Sequence, residues 1–169
     1  DEARQEWVDI TRALGVDLER LIGCQTGFTP AMDAIVSLHR GEAAAAQARL
    51  AVDPTKFNTW YTGEWRTWYT ALYVEAAVLA GSPEARHRLD RLRPIAHPNG
   101  TVVALFDRAE ALLEGDTERL ASVAAALEGS GCRYQWARTL VLAGGDLAER
   151  GRHEMAALGA APMAEPAAG

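Results

Sequence analysis

Glycines that punctuate amphipathic runs constrain this chain more than any other feature. Gly41, Gly81, Gly115 and the pair Gly144–Gly145 each stand between two stretches whose apolar residues recur with a helical period. A glycine just past a helix end supplies the left-handed turn that lets a chain double back, so each hinge predicts a helix hairpin. The hinges scatter around the ~34-residue period of stacked hairpin repeats. A lone hairpin cannot bury the apolar face of each helix, whereas a stack of hairpins can. The sequence therefore predicts an all-α fold, a right-handed superhelix of antiparallel helix hairpins (an α-solenoid).

Four units follow from the capping residues. Thr29–Pro30, a cap followed by a first-turn proline, opens the first helix, AMDAIVSLHR, and EAAAAQARLAV returns to stop at Asp53–Pro54. The second unit begins between Asn58 and Gly63 and runs to about Ala80. Past Gly81, Ser82 caps and Pro83 starts EARHRLDRLR, which Pro94 is expected to break. The third unit is TVVALFDRAEALLE, Gly115–Asp116 and TERLASVAAALEG. RYQWARTLVLA and LAERGRHEMAALG form the fourth, with Gly144–Gly145–Asp146 read as a helix stop followed by an N-cap. A further helix is expected around Trp7, Ile10 and Leu14, with a shorter piece at Leu18–Ile22. Residues 1–160 thus read as one helical-repeat domain of about four to five hairpins, and 161–169 as a linker or tail.

Composition supports helices and narrows function. About a fifth of the chain is alanine, and no β-branched residues alternate over a strand length. A net charge of −6 argues against a nucleic-acid surface, which normally carries a basic excess. Cys24 and Cys132 lack a CxxC partner and read as reduced core residues. No apolar run approaches the ~18 residues of a membrane span, no signal peptide opens the chain, and a cytoplasmic location is expected. The start at Asp1 without methionine and the end APMAEPAAG read as boundaries drawn through linkers.

Apolar faces are clearest in the third unit. Val102, Leu105, Phe106, Ala109, Leu112 and Leu113 follow the i, i+3, i+4, i+7 pattern, and Leu120, Val123, Ala124 and Leu127 repeat it on the returning helix.

An aromatic cluster supplies the candidate site. Tyr61, Trp65, Trp68, Tyr69, Leu72, Ala76 and Leu79 share one helical stripe, and Ala71, Val74 and Val78 form a second on the opposite side. One reading is a central helix buried on both sides. The other is that some rings line the concave groove of the superhelix and hold a peptide or small molecule. The candidate groove residues are Trp60, Tyr61, Trp65, Arg66, Trp68 and Tyr69, with Trp60 and Arg66 the most groove-facing.

Other chemistry-bearing residues take plainer readings. The arginines of ARHRLDRLR flank an apolar side of Ala85, Leu89 and Leu92 as solvated flanks, with no phosphate-tracking stripe. Glu110 and Glu114 read as a wet face. His39, His87, His97 and His153 fall in separate segments without convergent ligands, so no metal is expected. GxSxG, HExxH and GxxxxGK[ST] are all missing from the sequence, and neither catalysis nor a cofactor is expected.

Three segments carry a likeness: EWRTWYTALYVEAAVLAGSPEA, NGTVVALFDRAEALLEGD and GCRYQWARTLVLAGGD with the later ALGAAP. From about Phe57 to Ala164 the chain resembles the degenerate tetratricopeptide-like repeat region of large LuxR-type and MalT-like bacterial transcriptional regulators, also found in cyclase–ATPase fusions. The strict Trp-x-x-Leu-Gly-x-x-Tyr signature is missing. The resemblance implies a sensing or coupling domain between an ATP-binding module and a DNA-binding helix-turn-helix, with neither in this chain. It implies partners among the other domains of such a regulator, a protein or peptide, or a small effector. Direct nucleic-acid contact and membrane contact are not expected, and a homodimer is an open alternative. The runner-up is a stand-alone protein-interaction scaffold.

Overall fold

The computed structural model of the protein describes residues 28–57, 59–96 and 99–164, together with Gln5, Glu6, Asp9, Ile10 and Ala13. The side chains of Phe28 and of residues 59–64 lie outside the described set, as do Trp7, Leu14, Leu18–Ile22, Cys24 and His97. Ile10 is helical and exposed.

From residue 28 to residue 164 the described chain is helical, with eight α-helices and no strand. They are α1 (Phe28–His39), α2 (Ala43–Arg49), α3 (Thr59–Leu79), α4 (Ala85–Ala96), α5 (Gly100–Glu114), α6 (Thr117–Glu128), α7 (Arg133–Ala143) and α8 (Gly145–Ala157). A 3-10 turn, Pro54–Lys56, joins α2 to α3. No helix among the described residues is long and apolar enough to cross a membrane.

The hinges work as the sequence predicts. At Gly115 the backbone is left-handed (φ 68°), and the Asp116 N–H donates to the Ala111 carbonyl at 2.9 Å, closing the end of α5. The Asp116 carboxylate accepts from the Arg119 N–H at 2.9 Å and caps α6. Two residues thus end one helix and start the next. The Glu42 N–H bonds the Ser37 carbonyl beyond Gly41, and the Ser82 N–H bonds the Ala77 carbonyl beyond Gly81, each at 2.9 Å.

Some boundaries differ from the sequence reading. α1 starts at Phe28, so Thr29 and Pro30 lie inside its first turn, where proline is tolerated because those N–H groups lack helical partners. Pro94 does not end α4, which continues to Ala96. Pro94 and Asp90 are both exposed, so water can replace the bond that proline removes. Gly144 rather than Asp146 holds the cap position of α8, leaving Asp146 in the first turn, where its charge suits the helix dipole. Cys132, expected in the core, is a half-buried free thiol at the head of α7.

Packing separates two kinds of helix. α4, α6 and α8 each bury a single stripe, such as Leu120, Val123, Ala124 and Leu127 on α6. α3, α5 and α7 are buried on several sides. The expected face of α5 is fully buried at Val102, Leu105, Phe106 and Ala109, with Leu112 and Leu113 half-buried. Its opposite side is buried too, at Ala104, Arg108 and Ala111. Every residue from Gln135 to Leu142 on α7 is buried. Contacts explain the difference, because α3 packs against α1, α2, α4 and α5 at once. α7 and α8 approach closely at Gly151, where an added Cβ would lie 2.7 Å from the Ala137 carbonyl oxygen. Only glycine fits there without moving a backbone.

Candidate functional site

All six candidate groove residues belong to α3, and the four whose side chains are described sit at different depths. Trp60 and Tyr61 belong to its first turn, but their side chains lie outside the described residues. Tyr69 is 1% exposed, donates its hydroxyl to the Val52 carbonyl at 2.9 Å, and meets Phe57 edge-on with ring centroids 4.6 Å apart. Burial pushes its phenol well above the ordinary pKa. Tyr69 is therefore core and lines no open surface. Trp68 is half-buried against the same core, Arg66 is half-buried, and Trp65 is 41% exposed. Burial along α3 follows position on the axis as well as face, since residues 69–77 are all buried. What faces outward is Trp65, with Arg66 and Trp68 partly exposed beside it.

The core also holds a charged cluster that the sequence reading missed. Glu75 on α3 is fully buried and accepts from Arg108 on α5 at 2.6 Å and from Arg138 on α7. Arg108 also donates to the Thr139 hydroxyl at 3.0 Å and to the Gln135 carbonyl at 3.4 Å. Burial works against the Glu75 carboxylate, but the two guanidinium groups outweigh it and hold its pKa below the usual range. Two buried cations against one buried anion leave one positive charge over. Among the described residues, Arg108 Nε, Arg138 Nε and Nη2, and Gln135 Oε1 are buried without a hydrogen-bond partner. Each such group carries a desolvation cost. A legible signal existed: Glu75 interrupts the apolar run ALYVEAAVLA, and Arg138 interrupts WARTLVLA. A charge inside such a run is either a misfit or a buried ion pair.

A second network covers the outside of α5. Glu110 and Glu114, expected to be simply wet, are ion-paired. Arg93 donates to Glu110 at 2.7 Å and to Asp107 at 2.8 Å, Arg86 to Glu114 at 2.9 Å, and Arg119 to Glu110 as well. The α4 arginines thus tie α4 to α5, and Arg119 ties α6 to α5. Arg91 reaches Asp53 at 2.7 Å and Arg88 lies 4.4 Å over the Tyr73 ring. Burial raises the Asp53 pKa, but hydrogen bonds from Thr55 and Arg91 prevail and bring it down to about 2.

An open cavity of about 320 Å³ lies between α2, α3 and α4, lined by Ala44, Gln47, Ala48, Leu50, Tyr73 and Arg88. Its size suits a small ligand, but its polar equipment is confined to Gln47, Arg88 and the Tyr73 hydroxyl, with Arg88 already held by Glu84 at 2.9 Å.

The segment read as a tail begins by docking on the fold. His39, the last residue of α1, donates from Nε2 to the Ala161 carbonyl at 2.8 Å, and its own carbonyl accepts the Ala164 N–H at 3.1 Å. A carbonyl can only accept, so Nε2 carries a proton, which in the neutral ring leaves Nδ1 to accept from the Tyr134 hydroxyl, 3.2 Å away. Met163 is 7% exposed, packed in a cluster with Ala137, Val141, Leu142 and Met155. Nothing in the composition of ALGAAPMA distinguishes this from a linker.

Among the described residues no group of three His, Cys, Asp or Glu side chains is placed to hold a metal. No protein-family model matches the chain, and neither a curated protein nor a solved structure shows significant similarity to it.

Proposed function

We propose that this chain is a non-catalytic regulatory or coupling domain of a bacterial LuxR-type transcriptional regulator. In this reading its hairpins are degenerate tetratricopeptide-like repeats wound into a right-handed superhelix, in the cytoplasm, and a helical-repeat surface senses a ligand or partner. The carrying observation is the packing of α3 between α1 and α5, with Glu75 clasped by Arg108 and Arg138 from the two following odd-numbered helices. A row of inner helices joined in this way moves as a unit, which suits passing a signal between flanking modules. The surface at Trp65, Arg66 and Trp68 offers an aromatic and cationic contact for the effector.

Reading the parent gene on both sides tests the assignment. A Walker-type ATPase upstream and a helix-turn-helix shortly downstream support it. A start codon before Asp1 and a stop after Gly169 select the alternative, a stand-alone interaction scaffold. The docked 161–164 segment favours that alternative, because it is an extended peptide bound to a helical surface. Saturable, stoichiometric uptake of a small molecule favours the sensor.

A further inference from the structure

The seat that holds residues 160–164 is built from parts with different jobs. Gly159 (φ +72°) ends α8, and the Ala160 N–H returns to the Met155 carbonyl at 3.0 Å, which aims the chain away from the helix axis. Pro162 then disfavours a helical backbone at Ala161, and residues 160–164 take up no regular structure. Along this stretch Ala161, Pro162 and Ala164 are exposed while Met163 is buried. From Ala161 onward, attachment therefore comes from the Met163 side chain and two backbone groups, while the half-buried Ala160 packs against the same cluster as Met163. The Ala161 carbonyl meets the His39 ring, and the Ala164 N–H meets the His39 carbonyl. That carbonyl closes α1 and has no partner inside its own helix, so the docked strand serves as its cap. At Gly41 an added Cβ would lie 3.0 Å from the Ala164 Cβ, so the strand runs close against the hinge between α1 and α2.

None of these attachments reads residues 160–164 as such. A carbonyl, a methionine-sized apolar side chain two positions later and an N–H one further on satisfy all three, whichever chain supplies them. Methionine suits such a pocket because it is unbranched and adaptable. We propose that His39, Tyr134 and the Met163 pocket form a binding site for an extended peptide of that spacing from a partner protein. Residues 160–164 occupy the site in cis as an intramolecular competitor. A tethered strand works at an effective concentration near the millimolar range, so the site is closed to weak ligands and opens to a peptide that binds better or arrives in excess. The strand also bridges α1 to α7 and α8, so its release is felt at both ends of the described array. This rests on the reading of the chain as a binding module, whose partner it names by chemistry.

The test uses the full chain and a fluorescently labelled peptide, Leu-Gly-Ala-Ala-Pro-Met-Ala. Met163→Glu places a charge where the pocket is apolar, which lifts the chain's own strand. The variant, if it keeps its helical circular dichroism, should bind the peptide at least about ten-fold more tightly than the unaltered chain, given the tethering advantage lost. Adding His39→Ala, or replacing methionine by glutamate in the peptide, should abolish binding. Equal binding to the unaltered chain and to Met163→Glu would overturn the proposal. A second measurement needs no variant: saturating peptide should speed hydrogen exchange at the Ala164 amide while α7 stays protected. An unchanged Ala164 rate, or dimers of the unaltered chain that exchange strands in trans, would equally overturn it. A partner found at Trp65 with no peptide at His39 would sink this site and leave the binding-module reading intact.

Discussion

The two sides of α5 carry opposite solutions to the same problem. Arg108 faces inward, where Glu75 pairs with both Arg108 and Arg138 almost entirely shut off from water. Asp107, Glu110 and Glu114 stand on the outer side and meet Arg86, Arg93 and Arg119 within reach of solvent. Inside, the low dielectric makes every pairing strong and every missing partner costly. Outside, water and salt screen the charges, and an ion pair of this kind contributes at most about 1 kcal/mol. The number of ion pairs therefore says little about what holds the fold together. Location decides it.

Removing the anion from the inner cluster gives the largest expected effect. Glu75→Ala leaves two guanidinium groups buried without a counter-charge and should cost about 3–5 kcal/mol, read as a fall in the urea midpoint. A loss near that of an outer residue would erase the contrast between the two sides. Replacing all three partners together, Glu75→Met, Arg108→Met and Arg138→Leu, should recover most of that loss, because an apolar cluster of similar volume needs no counter-charge. A triple variant less stable than Glu75→Ala would mean that the ion cluster is stabilising in its own right.

Acid should separate the sides in the same direction. The folded pKa of Glu75 is depressed, so its contribution is complete above the unfolded value of about 4.3 and is lost as pH falls through the folded value. Asp53 follows the same sign between about 4 and about 2, with a smaller share because its partners are partly solvated. Urea midpoints measured from pH 7 to pH 3 should fall for the unaltered chain and flatten in the triple apolar variant. Equal slopes would remove Glu75 from the account.

Outer changes should be mild. Glu110→Ala is expected to cost about 1 kcal/mol or less, with the loss shrinking further at 1 M salt. A large, salt-independent loss would make the outer network part of the core. Trp65→Ala should also stay near or under about 1 kcal/mol, the usual range for a surface change, since Trp65 is 41% exposed. A melting shift equivalent to 3 kcal/mol or more would return Trp65 to the packed interior.

The sequence made the hinges legible because glycine after a helix has one dominant use, and Gly41, Gly81 and Gly115 all stand where it predicts. The faces of α5 and α6 were equally readable from spacing. Depth along α3 was not, because Tyr69 and Trp65 share a stripe and differ only in how many neighbours reach that level of the helix. The Glu75 cluster joins residues 33 and 63 positions apart, and no local period reports such a pairing. His39 and Met163 lie still further apart in the chain, joined through a segment whose composition is that of a linker. Among the six candidate residues, the exposure of Trp65 and the burial of Tyr69 could not be told apart by spacing, and the docked strand left no signal in composition.

The central claim is that Glu75 binds α3, α5 and α7 into one cooperative unit. Native-state hydrogen exchange in low urea tests it directly. The slowest amides of all three helices should open with one common free energy in the unaltered chain, and α7 should separate from the others in Glu75→Ala. If α7 already opens on its own in the unaltered chain, or stays coupled to α3 and α5 without Glu75, the clasp is not what unites the inner helices.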